Sequence, residues 1–135
     1  MPRFGQTLIV SSQPGTVSAI GQVLAEIGIL RLQHLETPDE AWLYLETAHN
    51  KSSVKVLFLE PTSLAMADDL LKKIMAHENL SHIKVVVIAN LKHEEMMNFV
   101  RHGALRIIAR PFDFEKIKAM VNHIQGATKK MTDND

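Results

Sequence analysis

The sequence contains no cysteine, and this absence excludes disulfide bonds, thiolate catalysis and cysteine-ligated metal sites. Net charge is also absent, because 15 lysine and arginine residues balance 15 aspartate and glutamate residues. A chain without net charge has no long-range attraction to nucleic acid or to an anionic membrane, so neither is an expected partner. Partners must therefore be selected by local features of the surface.

Long hydrophobic runs are missing as well. No apolar stretch approaches the roughly 20 residues that span a bilayer, and the first residues lack the apolar run of a signal peptide. No two of the 7 histidines have the spacing of a helical metal-binding pair. We therefore expect a cytoplasmic protein without a metal or cofactor. A length of 135 residues predicts one domain, residues 1–125, followed by a flexible tail, residues 126–135, which has no apolar period.

The chain is organised around an apolar run, Val54 to Leu59, that ends at the carboxylate of Glu60. An uninterrupted run of β-branched and aliphatic residues predicts a strand that is buried on both faces, as in parallel sheets covered by helices. Pro61 prevents the strand from continuing. We therefore expect Glu60 at the carboxyl end of a central strand, where open parallel sheets form their ligand-binding crevice.

Strand and helix patterns alternate five times along the chain. This alternation predicts a doubly wound parallel sheet between two helix layers, and right-handed crossovers favour the flavodoxin-like strand order 2-1-3-4-5. The predicted fold is thus a three-layer α/β domain with a five-stranded sheet. Predicted strands cover residues 7–10, 29–35, 54–59, 84–89 and 106–109, and predicted helices cover 17–27, 38–48, 64–74, 91–102 and the region after Asp113.

One segment carries a resemblance to a known family. Gly103 and Ala104 lead into the last predicted strand, which Arg110, Pro111 and Phe112 follow. This segment resembles that of response-regulator receiver domains, the chemotaxis-regulator-like domains of two-component phosphorelay signalling. The resemblance extends over residues 7 to about 124. It implies a domain that takes a phosphoryl group from a histidine kinase onto an Asp, beside Mg²⁺ held by two acidic residues.

The sequence departs from that pattern where the phosphoryl group would be bound. Ser11 and Ser12 stand in place of the acidic pair, and Glu60 stands in place of the acceptor Asp. Hydroxyl groups are poor substitutes for carboxylates as Mg²⁺ ligands, and Glu extends one methylene too far for a geometry built around Asp. We therefore expect neither a catalytic residue nor a metal site.

The residues that would respond to phosphorylation are replaced too. By the resemblance, Ala89 stands in place of the switch hydroxyl and Ile107 in place of the switch aromatic. Arg110 keeps the positive charge that the family places before its proline, here Pro111, whose preceding peptide bond the resemblance implies to be cis. The sequence thus resembles an atypical receiver, a pseudo-receiver that retains the scaffold.

Two interpretations of Glu60 are open. In one, its carboxylate is a permanent mimic of a phosphorylated Asp. In the other, it is a buried carboxylate retained by an ion pair with Arg110. Because Glu60 ends the third predicted strand and Arg110 follows the fifth, we expect the two side chains to meet across the crevice, with Ser11 and Ser12 lining the same pocket.

For function, we expect a non-enzymatic signalling or scaffolding module that binds a protein without accepting a phosphoryl group. One alternative is a receiver that is still phosphorylated on Glu60 or another residue. A second is a flavin-binding electron carrier, because residues 11–16 weakly resemble a flavin phosphate loop. Against flavin, the only Trp and the only Tyr, Trp42 and Tyr44, fall on the second predicted helix.

The resemblance also implies a partner-binding face made by the fourth helix, fifth strand and fifth helix. With both switch residues replaced, we expect this face to bind a signalling protein, a kinase or a second copy constitutively. Apolar residues at helical spacing, Met96, Phe99 and Val100, mark the fourth helix, and we expect one of Met96 and Met97 to lie in the core. The candidate interface residues on this helix are Lys92, Glu95, Met96 and Arg101.

Overall fold

The computed structural model describes residues 6–29, 31–47, 53–110 and 112–133. Strands and helices alternate through these residues, as the sequence patterns predict. The strands are β1 Gln6–Val10, β2 Leu32–Leu35, β3 Val54–Leu59, β4 Lys84–Ile88 and β5 Arg106–Ile108. The helices are α1 Pro14–Glu26, α2 Pro38–Glu46, α3 Leu64–Ala76, α4 His93–Arg101 and α5 Phe114–Asp133.

Polar residues fix where several helices begin. The Thr37 hydroxyl accepts a hydrogen bond from the Glu40 backbone N–H at 3.2 Å, which confirms the predicted start of α2. Ser63 accepts from the Met66 N–H at 3.3 Å at the start of α3, and Asp113 accepts from the Lys116 N–H at 2.8 Å at the start of α5. These caps place helix N-termini close behind the strand ends.

All strands pair in parallel, in the order β2-β1-β3-β4-β5. The predicted strand order is therefore confirmed, with β3 in the centre and β2 at an edge. In the register of β1 and β3, Val10 lies beside Leu59. The next residues of the two strands, Ser11 and Glu60, consequently emerge side by side at the same edge of the sheet.

The core lies on both faces of the sheet. Leu8, Leu57 and Val85 belong to a buried cluster with residues of α2, α3 and α4. Their chain neighbours Ile9 and Phe58 belong to a second cluster with residues of α1 and α5. Side chains along a strand alternate between faces, so an uninterrupted apolar run is needed to fill both clusters.

Two helices differ from the sequence expectation. On α4, Phe99 is buried, whereas Met96 and Met97 are 39% and 42% exposed, so the expectation that one of these methionines lies in the core is wrong. The last helix continues to Asp133, into the segment predicted as a tail, and the domain boundary at residue 125 stays a prediction. Within the described residues, no helix combines the length and apolarity that crossing a membrane requires.

Candidate functional site

The candidate site lies at the carboxyl edge of the sheet, where β1 and β3 end. The Glu60 N–H donates to the Val10 carbonyl at 2.8 Å, and the Ser11 N–H donates to the Leu35 carbonyl at 3.0 Å. These bonds extend the strand pairing by one residue beyond each strand. These backbone hydrogen bonds position Glu60 and Ser11 independently of their side-chain contacts.

Glu60 and Ser11 are joined by a short buried hydrogen bond. The Ser11 hydroxyl donates to Glu60 Oε1 at 2.6 Å, and the same hydroxyl oxygen accepts from the Gln13 N–H at 3.0 Å. Ser11 is fully buried, and Glu60 is 8% exposed. A buried carboxylate is tolerated only when hydrogen bonds or an opposite charge replace its water, and Ser11 supplies the first of these.

Arg110 supplies the opposite charge. Its Nη1 forms an ion pair with Glu60 Oε2 and lies 3.5 Å from the hydroxyl of Thr16 in the first turn of α1. The Arg110 N–H donates to Asn90 Oδ1 at 2.6 Å, and the guanidinium carbon lies 5.9 Å from the centre of the Phe112 ring. The ion pair predicted from the sequence is therefore confirmed. The Arg110 side chain is 45% exposed, so the pair is buried on its anionic side only.

The crevice residues do not fit a divalent metal. Mg²⁺ requires several oxygen ligands, of which carboxylates are the most effective. Of the residues that directly follow the central strands β1 and β3, Glu60 carries the carboxylate, and its two oxygens contact Ser11 and the Arg110 guanidinium. A metal ion would have to displace that guanidinium and would then find only hydroxyl and amide groups beside it. No cluster of acidic residues and histidines able to hold a metal occurs among the described residues.

The positions compared with the receiver switch are apolar. Ala89 and Ile107 both pack against the core cluster on the α2, α3 and α4 side of the sheet. The Ala89 N–H donates to the Ile108 carbonyl at 3.0 Å, so the chain after β4 stays joined to β5. Neither side chain carries a group that could form or break a hydrogen bond when charge changes in the crevice.

Two further residues predicted for the site, Ser12 and Pro111, are not shown to belong to it. Ser12 is exposed, and among the described residues no hydrogen bond links it to Glu60 or Arg110, so it does not join the pocket that Ser11 lines. Pro111 lies outside the described residues, and the predicted cis peptide bond there stays a prediction.

Three residues of the site were not anticipated from the sequence: Thr16, Asn90 and His34. The His34 Nε2 atom lies 2.7 Å from the Ser11 carbonyl oxygen, which ties β2 to the crevice. Asn90 and Thr16 are the polar partners of Arg110. The available signal was that Asn90 follows a buried strand closely, as Ser11 and Glu60 do, and polar residues at such ends meet at one edge of the sheet.

A second feature is the outer surface of α4. Met96 and Met97 are 39% and 42% exposed there, beside Val100 and the nearby Leu105. Arg101 is exposed and donates to Asn98 Oδ1 at 3.2 Å. Glu95 is engaged differently from the prediction, because its Oε1 accepts from the Lys92 N–H at 2.9 Å and so caps the helix. We call Met96, Met97 and Val100 the α4 patch.

Comparisons with known proteins show which solved structures share this architecture. Models of protein families give no match to the chain, and neither do the curated proteins. Solved structures do match: a response regulator from Thermotoga maritima superimposes with a TM-score of 0.76 at 20% identity, over 89% of this chain and 96% of that one. A CheY-like response-regulator receiver domain protein from Methanospirillum hungatei JF-1 gives 0.78 at 17% identity, over 95% and 98% of the two chains.

A third example is the signal receiver domain of a putative Luxo repressor protein from Vibrio parahaemolyticus, with a TM-score of 0.76 at 16% identity and 95% coverage of both chains. At these identities the similarity shows a shared fold. The chain therefore has the CheY-like, flavodoxin-like α/β fold, and its structural neighbours are receiver domains of two-component response regulators.

Proposed function

We propose that this chain is a pseudo-receiver, a receiver-like module of two-component signalling that binds a protein without accepting a phosphoryl group. The observation that carries the proposal is the internal neutralisation of Glu60. One of its carboxylate oxygens accepts from Ser11 and the other contacts Arg110. A phosphoryl donor would have to displace the guanidinium to reach the carboxylate, and the described residues offer no acidic cluster to hold a metal ion that would balance the added charge.

The ion pair also supports a single fixed conformation. Arg110 connects the chain after β5 to the end of β3 through Glu60 and to α1 through Thr16. Ala89 and Ile107 offer no polar alternative to this arrangement. A ligand or modification changes a conformation only when it interacts differently with two states, so a domain held this way presents one constant surface. Mimicry by Glu60 and retention through Arg110 describe the same fixed state.

The α4 patch is the proposed contact surface. Exposed methionine and valine side chains at helical spacing form an adaptable apolar centre, and Arg101 on the helix and Lys92 at its N-cap supply positive charge. We expect a protein partner at this surface, and a second copy of this chain is the partner that can be tested first.

Phosphorylation is tested by incubating the protein with acetyl phosphate and Mg²⁺ and measuring its intact mass. We expect no phosphoryl adduct. A stoichiometric adduct would refute the proposal, and the Glu60→Gln variant would then show whether Glu60 is the acceptor. A phosphorylated Glu60 requires the adduct to disappear in this variant, whereas another acceptor leaves it in place.

The flavin alternative has little support in the structure. The Tyr44 hydroxyl donates to Gln6 Oε1 at 2.9 Å, at the amino end of β1 and away from the crevice. The Trp42 ring contacts Lys73 and His77 of the α3 region. Neither ring is available to stack on a flavin at the strand ends. Flavin absorbance in the purified protein would overturn this conclusion.

A further inference from the structure

A small pocket opens between α2 and α3, on a surface separate from the α4 patch. It encloses about 60 Å³, which is room for the end of one side chain. Its apolar walls come from Pro38, Trp42, Met66 and Leu70. Leu43, 67% exposed, follows Trp42 in α2 and lies one helical turn after Asp39.

Two carboxylates, Asp39 and Asp69, share the lining of this pocket with the apolar walls. Within the part of the chain that the structure describes, neither carboxylate has an ion-pair partner. The α2 segment carries three acidic residues, Asp39, Glu40 and Glu46, and no basic one. Lys73 of α3 also lines the pocket, so the lining carries two carboxylates against one ammonium group, a net charge of −1.

The Trp42 ring already has a cation beside it. Lys73 Nζ lies 5.5 Å from the centre of the ring, within the range of a cation–π contact. The chain's own lysine thus shows that the ring is accessible to an ammonium group. The aromatic face and the flanking carboxylates suit the charged end of an arginine or lysine side chain, and the apolar walls suit its aliphatic stem.

We propose that the surface between α2 and α3 binds a basic amphipathic segment of a partner protein, with an arginine or lysine side chain against Trp42 and between Asp39 and Asp69. Apolar side chains of the same segment contact Leu43 and Met66. This surface would allow the domain to hold two proteins at once, one here and one at the α4 patch.

Trp42 is the only tryptophan of the chain, so its fluorescence reports on this pocket directly. The probe is a short capped helical peptide with leucine on one face and arginine on the other, and its control has glutamate in place of arginine. We expect the arginine peptide to change the Trp42 emission saturably and the glutamate peptide to leave it unchanged. No saturable change, or an equal response to both peptides, would overturn the proposal.

Variants locate the binding on the pocket. The double substitution Asp39→Asn and Asp69→Asn should lower the affinity for the arginine peptide by about tenfold, because both carboxylates that pair with its arginine are lost. The matched control, Glu26→Gln and Glu115→Gln, removes two carboxylates elsewhere and should keep the affinity of the unmodified protein. Equal losses in the two double variants would show that only overall charge matters and would refute the site.

The Lys73→Met substitution should change the affinity for the arginine peptide in the opposite direction. The substitution removes the cation that occupies the Trp42 ring and leaves the carboxylates in place, so the arginine peptide should bind several-fold more tightly. Unchanged or weaker binding would contradict the proposed position of the incoming side chain. Thermal unfolding of each variant verifies that the domain is folded before the peptide is added.

Discussion

The crevice and the α4 patch contrast in how their side chains are satisfied. In the crevice, the polar side chains of Ser11, Glu60 and Thr16 are all buried and all contact another polar group of the chain. On the α4 patch, large apolar side chains are 39% to 50% exposed, with no cover from the residues that the structure describes. The crevice is closed by its own residues, and the patch is left open.

This difference indicates where selection of a partner can take place. In the described crevice the carboxylate of Glu60 is already paired with Ser11 and Arg110, whereas an open apolar surface gains free energy when another protein covers it. The fold therefore separates a site whose residues serve stability from a surface whose residues do not. Substitutions in the crevice should change stability, and substitutions in the patch should change association.

The largest expected effect comes from Arg110→Met. It leaves the buried carboxylate of Glu60 without its counter-charge, which should lower the free energy of unfolding by about 3 kcal/mol, measured by urea denaturation. Arg101→Met is the matched control on the exposed surface, where we expect a change within about 0.5 kcal/mol.

Changing the other member of this ion pair, Glu60, should cost less stability than changing Arg110. Glu60→Gln leaves Arg110, which is 45% exposed and can turn towards water, so the loss should be only about 1 kcal/mol. Equal losses for the two single variants would mean that the guanidinium is as dependent on the pair as the carboxylate. An unchanged midpoint for both would mean that the pair is fully screened.

A second stability effect concerns Gly103, at the end of α4. Its φ angle is 114°, and an added Cβ would lie 2.6 Å from the Met75 side chain, so Gly103→Ala combines backbone strain with a steric clash. We expect a loss of about 2 kcal/mol in the free energy of unfolding.

Gly21→Ala is the control for this substitution, because Gly21 lies inside α1 with open space around its Cα. There we expect a gain of about 0.5 kcal/mol from the higher helix propensity of alanine. A loss at Gly21 similar to that at Gly103 would show that neither conformation nor Met75 is responsible.

On the α4 patch, Met97→Glu combined with Val100→Glu should weaken association rather than folding. Burying two charges in an apolar interface should lower affinity by at least about tenfold, detected as a shift in the monomer–dimer equilibrium during analytical ultracentrifugation. Both side chains are exposed, so the unfolding midpoint should move little. Glu94→Gln is the control, and intact association in the double variant would place the interface elsewhere.

Much of the fold was predictable because its determinants are local. Buried strands such as β3 need uninterrupted apolar runs, and helix caps such as Thr37 precede their helices directly. The Glu60–Arg110 pair was also predictable, since both residues follow strands that end at one edge of the sheet. The resemblance to receiver domains pointed to Glu60 and Arg110 as site positions. The parallel topology explains why their side chains meet, because parallel strands end at one edge of the sheet.

Other features depended on distances that a sequence does not contain. Helical periodicity identifies residues that share a stripe, but the depth to which α4 sits on the sheet determines that Phe99 is buried while Met96 and Val100 are not. The contact of Thr16 with Arg110 joins residues that are 94 positions apart and depends on the side-chain conformation of the arginine. The extension of α5 to Asp133 needed no apolar period, which is why the pattern missed it.

Two buried threonines, one outside the crevice and one within it, should respond in opposite directions to the same substitution. Thr7 in β1 is fully buried, and its hydroxyl has no hydrogen-bond partner among the described residues, whereas the equally buried Thr16 lies 3.5 Å from Arg110 Nη1. Thr7→Val replaces an unsatisfied hydroxyl by a methyl group of similar size and should raise the free energy of unfolding by about 1 kcal/mol.

Thr16→Val makes the same chemical change but removes an acceptor from the crevice, so a loss of about 0.5 kcal/mol is expected from this long contact. Urea denaturation of both variants under one set of conditions measures the difference in sign, which does not depend on the absolute stability of the domain. A gain at both positions would show that Thr16 contributes nothing to holding Arg110. The arginine would then be fixed by Glu60 and Asn90 alone, and the crevice would be less completely closed than its contacts indicate.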